Sequence, residues 1–223
     1  MGKRWNRERR QDAYWHQAKR TGYRSRASFK LRQISQRYGI LRKGQSVVDL
    51  GCAPGGWSQV ALEVVGEGGA VVGVDLSKVR AMPPARFIRG DLTDEETLEL
   101  VRLEIQRARA GPPERAKEGV DVVLSDMAPK ISGVYSVDQA RSVVLAGVAL
   151  DAARALLRPG GYFVVKVFEG HDFSRYVEDV RQHFAFVKVH APPASRKQSS
   201  EVYIVAKGFR GRRGRRRPVA EEE

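Results

Sequence analysis

Residues Val47 to Gln59 constrain the fold most strongly, because they join a short apolar run to a glycine-rich turn and a helical pattern. The stretch is V-V-D-L-G-C-A-P-G-G-W-S-Q, and apolar residues recur at helical spacing from Trp57 to Val65. This order predicts a strand, a tight turn and a helix, as at the start of a doubly wound α/β sheet. The glycines let the backbone approach a ligand, and the start of the helix offers unpaired N–H groups.

The spacing of Gly51, Gly55 and Gly56 separates several kinds of nucleotide site. It does not match G-x-G-x-x-G of dinucleotide-binding proteins, and no Lys-Ser or Lys-Thr follows to make a P-loop. A G-x-x-x-G-G spacing after an acidic strand end resembles the S-adenosylmethionine loop of Rossmann-like methyltransferases. A purely structural strand-to-helix turn is the alternative at this point.

The size and composition indicate one α/β domain with tails, since 223 residues with 42% hydrophobic content supply one sizeable core. The longest apolar runs fall short of the ~18 residues that span a bilayer, and the N-terminus has no apolar signal core. We therefore expect a cytoplasmic monomer without a membrane partner. The single cysteine, Cys52, excludes an internal disulfide and a multi-cysteine zinc site, and is expected to fill space in the turn.

The net charge of +14 is concentrated at the two ends of the chain. Residues 1–30 carry +8 and residues 208–223 carry +3, which leaves +3 for the middle. Basic ends on a nearly balanced domain favour a nucleic-acid partner, because neutralised phosphates release counterions. Tyr14, Trp15 and His16 lie among the N-terminal cations and favour RNA, whose bases stack on such rings. The alternative is that the tails only aid solubility.

Periodicity along the chain predicts a seven-stranded, mostly parallel sheet that ends in an antiparallel hairpin. The predicted strands are 47–50, 70–75, 86–89, 120–124, 162–168, 185–190 and 201–207. The predicted helices are 27–38, 57–65, 93–110, 138–157 and 173–183. Ser25 is a candidate cap for the first helix, and Thr93 with Glu96 forms a capping-box pattern. We expect a methyltransferase domain at 25–207, a flexible basic arm at 1–24 and a disordered Arg/Gly-rich tail at 208–223.

Charged residues lie at or near the ends of successive predicted strands. They are Asp49, Asp75, Asp91, Asp126 and Lys166, with Glu201 at the start of the last, antiparallel strand. The carboxyl ends of parallel strands meet at one edge of an open sheet, where ligands bind. One such acid could be a helix cap, but six charged groups at one edge predict a functional site.

Lys166 is the most informative of these residues, because V-V-K-V-F places an ammonium inside an apolar run. Burial of that charge is costly unless it is paired. The simpler alternative is an edge lysine that extends to water along its aliphatic stem. A partly desolvated lysine can also act as a base.

Five segments resemble the FtsJ/RrmJ family of ribosomal RNA 2′-O-ribose methyltransferases. They are Y-R-S-R-A-S-F-K-L (23–31), V-D-L-G-C-A-P-G-G-W-S-Q (48–59), S-D-M-A-P (125–129), G-G-Y-F-V-V-K-V-F (160–168) and S-R-K-Q-S-S-E-V-Y-I-V-A (195–206). The resemblance covers about Tyr23 to Gly208 and implies a Rossmann-like fold. Ser28 stands where bacterial members commonly have Trp, and Lys130 stands where Asn is common. The Arg-rich tail is an addition to the compact family form.

The resemblance also implies site residues and a reaction. The family's catalytic tetrad falls on Lys30, Asp126, Lys166 and Glu201, and its cofactor residues fall on Gly55, Trp57, Asp75, Asp91 and Asp126. The implied reaction is methyl transfer from S-adenosylmethionine to a ribose 2′-hydroxyl, and it needs no metal. The implied substrate is ribosomal RNA, most simply a uridine of the large subunit during ribosome assembly.

Three other functions are weighed against this one. A methyltransferase for transfer RNA or an mRNA cap would use the same tetrad. A non-catalytic ribosome-assembly factor could bind RNA through its tails, but it would not need Lys166 beside carboxylates. A nicotinamide oxidoreductase lacks its glycine fingerprint.

Overall fold

The computed structural model describes residues 13–109, 119–194 and 200–211. Over these residues the chain forms six helices and seven strands. The helices are α1 (Ala13–Thr21), α2 (Ala27–Tyr38), α3 (Gly56–Val65), α4 (Glu95–Ala108), α5 (Tyr135–Leu156) and α6 (Phe173–His183). The strands are β1 (Ser46–Leu50), β2 (Ala70–Asp75), β3 (Arg86–Arg89), β4 (Val120–Ser125), β5 (Leu157–Phe168), β6 (Phe184–His190) and β7 (Glu201–Phe209).

The seven strands form one mixed sheet in the order β3-β2-β1-β4-β5-β7-β6. The five strands from β3 to β5 pair in parallel, and β7 pairs antiparallel with both β5 and β6. The strand order reverses at β1 and β4, so a crevice opens at the carboxyl ends of these two strands. The predicted α/β class, sheet and antiparallel hairpin are confirmed.

Each face of the sheet is covered by helices, which explains why β1 is apolar at both faces. Val48 and Leu50 pack on the face covered by α4, α5 and α6. Val47 packs on the opposite face with Leu31 of α2 and Val60 of α3. Side chains alternate between the faces along a strand, so neighbouring β1 residues enter two different cores.

The N-terminal arm is shorter than predicted, because residues 13–21 form α1. Ala18 is buried with Phe29 and Ala194, and the Tyr14 ring centroid lies 5.6 Å from that of Phe29. Tyr14 and Ala18 are four residues apart, so they share one helix face. Arm residues 1–12 and tail residues 212–223 lie outside the described residues.

Several predicted element ends are wrong, for local reasons. Helix α2 begins after Arg26 without a side-chain cap, so Ser25 is not its cap. Helix α4 begins at Glu95, because Thr93 donates its hydroxyl hydrogen to Asp91 and forms no capping box. Strand β5 begins five residues earlier than predicted, and its pairing with β4 shifts register between Val120 and Val122.

The domain also extends past its predicted C-terminal end. Strand β7 continues to Phe209, whose side chain is buried, so the predicted tail from 208 begins inside the sheet. In the part of the chain described, no helix is both long enough and apolar enough to cross a bilayer.

Candidate active site

The strand register brings the predicted catalytic residues onto one face of the sheet. Lys166 of β5 lies opposite Tyr203 of β7, and Glu201 lies two residues from Tyr203, on the same face. Ser125 pairs in parallel with Val165, so the following residue, Asp126, comes beside Lys166. Lys30 reaches this group from α2, which covers the same face.

The four charged side chains form two ion pairs joined by one hydroxyl. Lys30 pairs with Glu201, and the Lys166 amine lies 2.9 Å from Asp126 Oδ1 and 2.5 Å from the Asp126 carbonyl oxygen. The Tyr203 hydroxyl lies 2.9 Å from Asp126 Oδ1 and 3.2 Å from Glu201 Oε1. The four charged side chains and the Tyr203 hydroxyl therefore form one hydrogen-bonded network, in which two formal positive charges balance two formal negative charges.

Tyr203 is a site residue that the sequence did not reveal. Its ring is fully buried and packs against Trp57, with centroids 5.6 Å apart, while its hydroxyl holds Asp126 and Glu201. Burial and the two carboxylates raise the pKa of this hydroxyl well above its ordinary value, so it stays protonated. In sequence it looks like any aromatic residue of a buried strand, because its position opposite Lys166 depends on the pairing of β5 with β7.

The glycine turn lies directly above β1 and against the residue that follows Asp126. Gly51 has a φ of 68° and Gly55 a φ of 105°, which favour glycine. A Cβ at Gly51 would overlap the side chain of Met127. Gly55 precedes the first residue of α3, so the N–H groups of that helix start, which have no partner within the helix, lie next to the turn. The turn and Asp126 therefore border the same crevice.

Asp75 and Asp91 follow the glycine turn along the edge of the sheet. The Asp75 carboxylate accepts hydrogen bonds from the N–H groups of Ala53 (2.9 Å) and Ser77 (2.7 Å), one at each oxygen. Asp91 Oδ1 accepts from the Thr93 N–H and hydroxyl, and the N–H bond is the main reason that the pKa of Asp91 is lowered. A carboxylate has about four acceptor positions, so both acids retain capacity for a ligand.

Trp57 does not present its side chain to this crevice. The indole is 3% exposed and packs in the core, where its Nε1 donates to the carbonyl oxygen of Ala27 at 2.9 Å. Trp57 is the second residue of α3, so its backbone lies at the helix start.

Asp49 lies under the glycine turn and is fully buried. Its Oδ2 accepts from the Ser58 hydroxyl at 2.6 Å, while Oδ1 has no hydrogen-bond partner among the described residues. Burial, aided by the nearby Asp126 and Asp75 charges, raises the pKa of Asp49 to about 7. Asp75 and Asp126 present acceptor oxygens beside the turn, and S-adenosylmethionine carries ribose hydroxyls and an ammonium that can donate to such oxygens. The residues of this crevice therefore fit that cofactor.

Arg24 ties the N-terminal segment to the glycine turn, which the sequence did not predict. Its guanidinium donates to the carbonyl oxygens of Pro54 (3.3 Å), Arg80 (2.7 Å) and Ala81 (2.9 Å). The segment that leads to Lys30 is thereby fixed to the turn that borders the crevice.

This sheet order, the glycine turn after β1 and the acids at the next strand ends define the class of Rossmann-like methyltransferases. The FtsJ-like methyltransferase family model matches residues 23–209, and the chain belongs to this family.

Relatives of known name agree with this assignment. The chain is 49% identical over 200 residues to a ribosomal RNA large subunit methyltransferase E of Halorubrum lacusprofundi, covering 89% of this chain and 71% of the relative. It is 46% identical over 214 residues to the protein of that name in Methanothermobacter thermautotrophicus, covering 95% and 96%. The fold is similar to the crystal structure of a putative ribosomal RNA methyltransferase from Plasmodium falciparum. That comparison has a TM-score of 0.71 and 26% identity, and covers 85% of this chain and 100% of the other.

Proposed function

We propose that this protein transfers the methyl group of S-adenosylmethionine to a ribose 2′-hydroxyl of ribosomal RNA, at a uridine of the large subunit. The observation that carries the proposal is the Lys166 amine, held between two oxygens of Asp126 beside the glycine turn. The relatives named ribosomal RNA large subunit methyltransferase E support the choice of substrate.

The cofactor would lie along the carboxyl ends of the first four strands. The backbone at Gly55 and Trp57 would border its methionine portion, and Asp126 would accept hydrogen bonds from the ammonium. Asp75 would accept hydrogen bonds from the ribose hydroxyls, and Asp91 from the adenine amino group. The bound cofactor supplies a methyl group on a positively charged sulfur, which leaves as a neutral thioether.

The protein must position the 2′-oxygen in line with that methyl group and remove the hydroxyl proton. Once it has given up its own proton, the lysine amine has two N–H groups and one lone pair. The two Asp126 oxygens match the two N–H groups, which leaves the lone pair for the ribose hydroxyl. Lys166 is therefore the base, and Asp126 orients it.

Lys30 and Glu201 would hold the ribose and its phosphate. Their ion pair lies beside Tyr203, with the Lys30 amine 5.7 Å from the centroid of that ring. The Tyr203 hydroxyl holds both carboxylates in place, so it is a positioning residue. We further propose that the enzyme acts in the cytoplasm as a monomer.

The test uses purified protein, labelled S-adenosylmethionine and three substrates: large-subunit ribosomal RNA or subunits, transfer RNA, and capped mRNA. We expect ribose methylation of the first only. Ribosomal RNA from a strain lacking the gene should lack one 2′-O-methyl group, restored by the wild type and not by Lys166→Ala. Methylation of transfer RNA alone, or of the mRNA cap alone, would show that the enzyme acts on that RNA and not on ribosomal RNA. RNA binding without methyl transfer would favour the non-catalytic assembly factor.

A further inference from the structure

Exposed apolar side chains are concentrated in a short segment between Asp126 and the body of α5. Ile131 is 63% exposed and Tyr135 is 64% exposed, and Val134 lies between them, also exposed. We call residues 131–135 the platform. The catalytic network uses none of these side chains.

One buried acid holds the platform through hydrogen bonds to Ser132 and Gly133. Asp138 Oδ1 accepts from the Ser132 N–H and hydroxyl, both at 2.8 Å, and Oδ2 accepts from the Gly133 N–H at 3.2 Å. The Ser132 N–H bond is the main reason that the pKa of Asp138 is lowered, so the carboxylate stays ionised. The apolar side chains therefore project from a loop that hydrogen bonds already hold in place. This limits the conformational entropy that is lost on binding.

Exposed cations precede and follow the platform in the sequence. Lys130 precedes it, and Arg141 lies near enough to Asp138 to contribute to its lowered pKa. Residues 130–137 contain no acid. An exposed aromatic ring between cations fits a single RNA strand, because a base stacks on the ring while phosphates pair with the cations. An apolar protein surface would offer Lys130 no counter-charge.

The platform lies at the same edge of the sheet as Lys166. Gln139 donates to the carbonyl oxygen of Glu169, three residues after Lys166, and the Ser142 hydroxyl accepts from the Phe168 N–H at 3.0 Å. The start of α5 is thus fixed to the end of β5. Because α2 and α5 cover opposite faces of the sheet, Lys30 and the platform border the site from opposite sides.

We infer that the platform binds the RNA strand beside the target nucleotide. The base of a flanking nucleotide stacks on Tyr135 with Ile131 alongside, and Lys130 and Arg141 contact the adjacent phosphates. The inference rests on the proposed function, since it identifies how that substrate is held.

The test compares Tyr135→Ala, Tyr135→Phe and the control Val144→Ala, an equally exposed apolar residue further along α5. The probe is deproteinised large-subunit ribosomal RNA, with its Kd and its single-turnover methylation measured separately. Tyr135→Ala should raise the RNA Kd about 5- to 100-fold, as for loss of one stacked base. The rate at saturating RNA and the cofactor Kd should stay unchanged. Tyr135→Phe, which keeps the ring, and Val144→Ala should bind like the wild type.

Three results would overturn the inference: an unchanged RNA Kd in Tyr135→Ala, an equal loss in Val144→Ala, or a defect seen only with intact ribosomal particles, which assigns the platform to a protein partner. Failure of the proposed function is a separate result. If the wild type binds this RNA more tightly than Tyr135→Ala does but methylates no RNA, the platform stands and the catalytic proposal falls.

Discussion

Replacement of Lys166 by arginine separates base catalysis from simple charge stabilisation. A guanidinium stays protonated at any usable pH and cannot accept the ribose proton. General base catalysis contributes about 10²- to 10⁴-fold, so Lys166→Arg and Lys166→Ala should both lower the single-turnover rate by at least 100-fold. If the amine acted only through its charge, arginine would restore much of the rate.

The structure also sets the expected cost in stability. Lys166→Ala removes an amine whose side chain is 8% exposed, but Asp126 keeps its hydrogen bond from Tyr203 and remains 19% exposed. We therefore expect a loss of about 1–3 kcal/mol in the free energy of unfolding, and a folded protein.

The assay is single-turnover transfer of labelled methyl with enzyme in excess over RNA, beside calorimetry of S-adenosylhomocysteine binding. Cofactor affinity should be unchanged, since its proposed contacts lie on the first four strands. Lys188→Ala, an exposed lysine on β6, is the control and should retain full activity. Substantial single-turnover activity in Lys166→Arg would refute the assignment of Lys166 as the base.

Four further predictions concern other residues. Asp49 is protonated in the folded state up to pH 7 but ionised in the unfolded state above about pH 4, so wild-type stability should fall across this range. In denaturant titrations, the free energy of unfolding of Asp49→Asn relative to the wild type should rise by about 2–3 kcal/mol from pH 5 to pH 8. The same pH dependence of stability in both proteins would contradict a buried, protonated Asp49. Gly51→Ala, at a φ of 68°, should lower both the melting temperature and the cofactor affinity, and a wild-type affinity would place the cofactor elsewhere. Tyr203→Phe keeps the ring, so it should lower the free energy of unfolding by only about 1–2 kcal/mol and raise the activation free energy of the single-turnover step by more. Full activity would remove its positioning role. Deletion of 1–12 or 212–223 should weaken RNA binding and flatten its salt dependence while cofactor binding is retained, and an unaltered slope in both would show that the tails take no part.

Apolar periodicity was sufficient to locate the sheet. Strand 70–75 was predicted with its observed ends, because a buried parallel strand is a nearly continuous apolar run bounded by turn residues. Strand 86–89 lies at the sheet edge, and its two central apolar residues were enough to predict its observed ends. The start of β5 was missed, because Pro159-Gly160-Gly161 is typical of a loop and only pairing with β4 makes it a strand. Helix α1 was missed because its few core contacts lie in a basic segment.

The charged residues of the site could be predicted from the sequence, but the hydrogen bonds that link them could not. Acids at strand ends and a lysine in an apolar run are visible in sequence, since burial of charge is unusual there. The Tyr203 hydroxyl and the Arg24 contacts depend on the register of β5 with β7 and on a loop crossing. Such details arise from tertiary packing, which no local pattern encodes. The side-chain position of Trp57 was hidden for the same reason.

The neutrality of the catalytic network limits how this site can change in evolution. A single substitution that alters the charge of Lys30, Asp126, Lys166 or Glu201 leaves an unbalanced charge among side chains that are at most 19% exposed. Because Tyr203 links both pairs, the disturbance extends beyond the substituted residue, and the effects of two substitutions should not add. To keep the charges of the network balanced, two compensating substitutions must occur together. Stability therefore preserves these residues together with catalysis, so a lineage that abandons methyl transfer is expected to lose the whole set and not one member.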